Sequence, residues 1–277
     1  MDRVSSELRT RHFEHSATEP EIELPAGDVT EGVVRVGNTV RRPHQPQSYA
    51  VAAYLDYLET VGFDASPRFL GRDSQGRDVL TFLEGDVAGA KLEPWVLADR
   101  LLVSVALLVR RLHDASIGYQ PLEHFPPSPF TLHRAELVTH LDVTPQNVVT
   151  NGGEATGLID FDLAGPSTRL IDSLNAAMHW VPLRDPVDLD DVAVDIDQFA
   201  RLRLFADAYG WQQSEREALP RFAAARATAS WRRMKFRAEN DGGGWARMWN
   251  EGVGDLILRR RAWLLGKEPA IQRALLG

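Results

Sequence analysis

The hydrophobic period of this chain changes once, near Gly85, and that change restricts what it can fold into. Before it, four runs alternate as strands do: EIELP (21–25), GVVRVG (32–37), NTVRRP (38–43) and DVLTFL (78–83). Gly37-Asn38 between two Val-rich runs reads as a tight hairpin turn. One helical segment interrupts the strands, Ser48 to Val61, with Val51, Tyr54, Leu55 and Leu58 at helical spacing and Gly62 as a stop.

After Gly85 the spacing is mostly helical. Residues 94–115 are strongly apolar and start at Pro94, a favoured first helical residue. Residues 136–163 hold two short Val/Ile-rich pieces joined by Asn151-Gly152-Gly153, a second hairpin signal. From Ile171 onward the pattern is helical, with Ser214 and Glu217 spaced as a capping box and Gly242 to Gly244 separating two helices. The last helix is expected to carry Trp245, Met248, Trp249, Gly252, Leu256 and Trp263 near one face, as core. A chain of 277 residues exceeds one simple core, so the order predicts an α+β protein of two lobes. Residues 1–20, polar and mixed in charge, are expected to form a mobile tail. Residues 21–85 form a small antiparallel β lobe with one helix, and residues 86–277 a mainly helical lobe.

The chain has no cysteine, which excludes disulfides and thiolate metal sites. It shows no signal-peptide core and no membrane-length apolar run, so a cytoplasmic protein without a membrane partner is expected. The formal charge of −8 is uneven: residues 201–277 hold 15 Lys and Arg against 8 Asp and Glu, a net +7, leaving −15 on residues 1–200. Either the two regions neutralise one another, or the basic part binds nucleic acid. Interleaved acids at helical spacing favour the first, so no nucleic-acid partner is expected.

The most informative stretch is His140-Leu141-Asp142-Val143-Thr144-Pro145-Gln146-Asn147, followed across the hairpin by Ile159-Asp160-Phe161-Asp162. This H-x-D-x-x-x-x-N pattern with a following I-D-F-D resembles the aminoglycoside phosphotransferases and related small-molecule kinases. The likeness runs from about residue 21 to 180 in element order and is strongest over 112–180. It implies a protein-kinase-like fold, ATP or GTP and Mg²⁺ as cofactors, and a small-molecule acceptor. Phosphoryl transfer is mostly positioning and charge neutralisation. In that scheme Asp142 orients and deprotonates the acceptor hydroxyl, and Asn147 and Asp160 give hard oxygens to Mg²⁺. Asp162 either assists that metal or is solvated, His140 is a structural loop histidine, and His113 is a packing residue. Asp172 braces the catalytic loop from below.

The nucleotide half is read from the same resemblance. Gly27 and Gly32 flank a loop placed to cover phosphate. Arg41 or Arg42 takes the place of the usual third-strand Lys, and alternation from Val40 favours Arg42. Thr81, Leu83 and Glu84 fall where the interlobe hinge would bond the nucleobase. Leu141 stands where regulated protein kinases have Arg, and only residues 163–169 separate the metal strand from the next helix, so a small acceptor is expected. The first turns of the 48–61 helix hold no Glu to pair with the arginine. That departure keeps open an alternative, a nucleotide-binding pseudokinase acting as scaffold or sensor. The run Asp185, Asp188, Asp190, Asp191, Asp195 and Asp197 is read as helix-start acids in preference to a receptor for a polycationic acceptor.

Overall fold

Alternation along the early strands puts consecutive side chains on opposite faces, and the register of the first lobe follows from it. The computed structural model describes residues 3–14, 19–24, 32–89, 91–121, 125 and 134–277. Its first lobe is an antiparallel sheet of β1 (Ile22–Glu23), β2 (Val34–Val36), β3 (Thr39–Arg42), β4 (Phe69–Arg72) and β5 (Asp78–Thr81), in the order β1-β2-β3-β5-β4. β2 and β3 join through Gly37-Asn38, with Val36 opposite Thr39. Val40 pairs with Leu80, and Leu80 with Phe69, which makes one apolar row. A helix (Ser48–Thr60), preceded in the chain by α1 (Arg3–Thr10) and therefore α2, lays Ala52 and Ala53 against Phe69 and Leu80. β4 had no counterpart in the sequence reading, because its FLGR run is short and holds a glycine.

Of the expected tail, residues 1–2 and 15–18 lie outside the described residues, and α1 occupies part of the rest. Leu8 is buried in the small core with Ala52, Ala53 and Phe69, and Arg11 forms an ion pair with Asp56 at 2.6 Å. An apolar anchor, an ion pair and two backbone hydrogen bonds between Arg11–Phe13 and Arg72 hold residues 8–13 to the lobe, which charge-rich composition conceals.

The second lobe is built on α3 (Asp99–Ala115), whose Leu101, Leu102, Val105, Leu108, Val109 and Leu112 are buried at helical spacing. Two small sheets follow: β6 (Leu137–Thr139) pairs with β9 (Gly165–Ser167), and β7 (Val148–Asn151) forms a hairpin with β8 (Glu154–Leu158). Then come α4 (Arg169–Trp180), α5 (Gln198–Tyr209), α6 (Gln213–Asn240), α7 (Gly243–Asn250), α8 (Val253–Gly266) and α9 (Glu268–Leu276). The capping box lies two residues earlier than expected: Gln212 is the cap, and Glu215 accepts from its N–H at 2.6 Å. The expected single last helix is broken at Gly252, φ +93, so Trp249 and Trp263 sit on different helices. Trp263 stacks on Phe199, while Trp249 packs edge-on to Trp231.

Several C-terminal cations are neutralised within the fold: Arg201 by Asp99, Arg216 by Asp207 and Arg259 by Asp188. Asp185 and Asp197 cap the starts of short and long helices, as the bland reading of the acidic run expects. Among the described residues no helix is long and apolar enough to cross a membrane.

The lobes meet through α2, whose Tyr54 is buried with second-lobe residues and donates to the Val138 carbonyl at 3.1 Å, and through the connector after β5. Asp86 and Thr150 exchange backbone hydrogen bonds of 2.9 and 2.8 Å, which stitches the segment after β5 onto β7. Gly85 has φ +145, and a Cβ there would lie 2.6 Å from the Thr150 carbonyl oxygen. Only glycine fits such an approach.

Candidate active site

The loop between β6 and β7 is held open by a set of buried side chains. Leu141 has φ +63, a strained backbone for a branched-chain residue. Both its peptide groups are tied down: Asp172 Oδ1 accepts from Leu141 N–H at 2.7 Å, and Asn175 Nδ2 donates to Leu141 O at 2.8 Å. Asp172 is fully buried, and its other oxygen faces His113 Nε2 at 2.8 Å, with Tyr209 on the opposite ring nitrogen. Burial pushes the Asp172 pKa up, but His113 and the Leu141 N–H more than offset it, leaving it below the usual range.

His140 is also buried. Its Nε2 lies 3.0 Å from the Ile159 carbonyl, and its Nδ1 accepts from Asp142 N–H at 3.2 Å. A carbonyl only accepts and an amide only donates, so the imidazole is neutral with its proton on Nε2. Burial drives its pKa down, in keeping with a structural part.

This scaffold brings the expected residues together. Asn147 Nδ2 donates to Asp142 Oδ2 at 2.8 Å and to Asp142 O at 3.0 Å. Ile159 N–H donates to Asn147 O at 3.0 Å across the hairpin, which sets Asp160 beside Asn147. Asp160, with φ +60, turns off the strand end, and its side chain is 39% exposed. The Asn147 amide nitrogen is taken up by Asp142, so the amide oxygen is left for a ligand. That oxygen and the Asp160 carboxylate are hard donors. They suit Mg²⁺, which takes one or two protein ligands and the rest from phosphates and water. Among the described residues no group of three or more acidic or histidine side chains could hold a metal unaided.

The two candidate arginines diverge. Arg41 faces away, against Phe13, Thr39 and Asp73. Arg42, on the face of Val40 and Leu80, crosses to the second lobe, where Nη1 lies 3.5 Å from Asp160 Oδ1 and Nη2 bonds Asp162 Oδ2. Burial is the largest influence on Arg42 and lowers its pKa. Asp162 and Asp160 outweigh it, so the net direction is up. The acid expected on α2 is therefore replaced from the other lobe by Asp162, whose sequence position gives no hint of this partner. Asp56 and Glu59 of α2 pair with Arg11 and Arg68. Gln47, just before α2, reaches the Asp162 carbonyl at 3.5 Å.

The other expected nucleotide-site residues are more widely spread. Thr81 bonds Arg68 through both N–H and hydroxyl, and Phe82 N–H bonds Asn38 O, which leaves the backbone of Leu83 and Glu84 for a base. The Glu84 side chain pairs with Arg35 at 2.6 Å and points to solvent. Gly32, φ +76, precedes β2, while Gly27 lies outside the described residues.

A phosphotransferase enzyme family model matches residues 126–209, which include the loop and the hairpin. The trifolitoxin immunity protein of Rhizobium leguminosarum bv. trifolii is 29% identical over 260 residues, 88% of this chain and 94% of that protein. A choline/ethanolamine kinase family protein from Mesorhizobium loti aligns with a TM-score of 0.53 at 16% identity, over 89% of this chain and 92% of its own. An ADP-bound aminoglycoside phosphotransferase aligns with a TM-score of 0.51 at 12% identity, over 90% and 95%. The resemblance read from the loop motif is borne out: the chain has the two-lobed, protein-kinase-like fold of the aminoglycoside phosphotransferases and choline kinase-like proteins.

Proposed function

We propose that the chain is a phosphotransferase that moves the γ-phosphate of ATP or GTP to a hydroxyl of a small molecule. The observation that carries this reading is the juxtaposition of Asp142, Asn147, Asp160 and Arg42 at the lobe junction. Asp142 accepts the acceptor's proton as its oxygen bonds the γ-phosphorus. The bond from that phosphorus to the β–γ bridging oxygen breaks, and the nucleoside diphosphate leaves. The hydrogen bond from Asn147 fixes the Asp142 carboxylate. Asn147 and Asp160 would hold Mg²⁺, which supplies charge neutralisation on the phosphates when bound. Arg42, held by Asp162, faces the same phosphates with a forked cation. The similarity to an immunity protein favours, within this class, an antibacterial acceptor over an ordinary metabolite.

Nucleotide consumption coupled to a panel of hydroxylated metabolites and antibiotics tests the reading. Asp142→Asn should bind Mg²⁺–ATP like the wild type, yet lose about 10²- to 10⁴-fold in turnover, the range for a general base. Near-normal transfer by Asp142→Asn would overturn the assignment. The pseudokinase reading draws on one observation, the Arg42 guanidinium beside Asp160 where a metal would bind. It gains ground if both proteins bind nucleotide and neither transfers phosphate to any acceptor.

A further inference from the structure

The face of the second lobe behind Asp142 is basic to a degree that the fold itself does not balance. Arg226 and Arg233 lie seven residues apart on α6, two turns along one face. Arg226 Nη2 donates to Asn175 Oδ1 at 3.2 Å, and the same Asn175 holds the Leu141 carbonyl. One amide therefore separates this guanidinium from the loop that carries Asp142. Both arginines lie within the electrostatic reach of Asp142. Arg260 of α8 and Arg184, beyond the end of α4, extend the cluster around His179.

None of these four arginines forms an ion pair with a described carboxylate, and the Nε atoms of Arg260 and Arg184 are buried without a hydrogen bond. Arg260 is more than nine-tenths buried. The acids near them form no ion pair with them. Asp172 holds His113 and Leu141, Asp188 is bonded by Arg259 at 2.5 Å, Asp142 is bonded by Asn147, and the exposed Asp190 offsets Arg184 only from beyond ion-pair distance. Burial, and after it the neighbouring cations, brings Arg226 down to about 10 and Arg260 to about 9. The ring of His179 is pushed to about 3, by burial first and then by Arg260, Arg184 and Arg226. Several buried like charges without counterions are costly to a folded chain. A bound anion would offset them.

We propose that the acceptor is a small hydroxylated anion, its carboxylate or phosphate seated on Arg226 and Arg233 while its hydroxyl faces Asp142. Arg184 and Arg260 form the basic wall behind it, around the neutral ring of His179. A polycationic acceptor such as an aminoglycoside, or a quaternary amine such as choline, is disfavoured by the same charges. The proposal rests on the phosphotransferase reading for the hydroxyl, but the anion site stands on its own residues.

Calorimetric titration of the full chain with glycerate, glycerol phosphate, glycerol and choline, with and without Mg²⁺–ATP, separates the two claims. The two anions should bind at least about 10-fold more tightly than glycerol, a difference of roughly 1.4 kcal/mol, and choline should bind more weakly still. Inorganic phosphate should raise the melting temperature by mass action. Arg226→Gln and Arg233→Gln should each abolish the anion preference and leave Mg²⁺–ATP affinity unchanged. In a buffer without small anions, Arg233→Gln should melt no lower than the wild type, because a repelling charge is removed and no partner is orphaned. A structural arginine would instead lower the melting temperature. Mg²⁺–ATP binding without any preference for the anions sinks the anion site alone. Anion binding that depends on Arg226 and Arg233, without nucleotide binding, supports the site and sinks the phosphotransferase reading. Tighter binding of choline than of the anions, or a lower melting temperature for Arg233→Gln, overturns the proposal.

Discussion

Asp162→Asn isolates the ion pair that joins the two lobes. The Arg42 and Asp162 side chains are 9% and 18% exposed, so their attraction is only partly screened. At an effective dielectric near 20, two charges about 3 Å apart attract by roughly 5 kcal/mol before desolvation is subtracted. Removing one partner of a buried pair leaves the other uncompensated and costs about 3–5 kcal/mol. Asp160 remains 3.5 Å from the guanidinium and recovers part of this. The expected loss therefore falls at or just below the bottom of that range, about 2–3 kcal/mol. Urea unfolding at constant slope measures it. The companion variant Arg42→Met/Asp162→Asn removes both charges, and it should regain at least half of the loss because no ion is left buried alone. Mg²⁺–ATP affinity should fall in Asp162→Asn, since Arg42 is then free to settle on Asp160. A loss below about 0.5 kcal/mol, or a double variant as unstable as the sum of its singles, would refute the reasoning.

Other consequences are open to measurement. The folded-state pKa of His179, about 3, lies below its ordinary value, so its stabilising contribution is complete above pH 6.5 and is lost as the pH falls from there toward 3. At pH 5.5 this amounts to about 1.4 kcal/mol, which urea titrations at pH 7.5 and 5.5 should show, and which His179→Gln should remove. His140 acts in the same direction. Gly85→Ala places a methyl 2.6 Å from the Thr150 carbonyl at a positive φ, and should cost more than about 2 kcal/mol by thermal unfolding; an unchanged melting temperature would contradict the close approach. Leu8→Ala should cost about 2–3 kcal/mol, whereas a mobile tail would tolerate it without effect.

Sequence alone carried the features that local chemistry fixes. The change of period at Gly85, both hairpin turns and the α2 stop at Gly62 are set by glycines and alternation, and the structure has them. The loop residues Asp142, Asn147 and Asp160 could be paired because a short hairpin constrains their separation. The choice between Arg41 and Arg42 was legible only as alternation; the partner of Arg42 was not, since Asp162 lies 120 residues away. The surplus of positive charge in residues 201–277 was visible, but summing charges cannot separate Arg216 and Arg259, which find carboxylates, from Arg226 and Arg233, which do not. The capping box was misplaced by two residues because Ser214 and Gln212 both have an acid three positions on. The single last helix failed at Gly252, where the backbone conformation depends on how α7 and α8 pack onto α6.

The exchange of hydrogen bonds between Asp86 and Thr150 also determines how the molecule can move. With that stitch in place the connector belongs to the second lobe, and only residues 83–85 lie between it and the Phe82–Asn38 hydrogen bond of the first. A pivot of so few residues transmits torque and gives little slack. The first lobe is further held to the second by α2, through the Tyr54 hydroxyl on Val138 O and the Tyr57 hydroxyl on Ile117 O, and by Arg42, which reaches across to Asp160 and Asp162. Any separation of the lobes would have to break these contacts together with the Arg42 ion pairs, so an opened state would be reached in a discrete step and not by gradual bending.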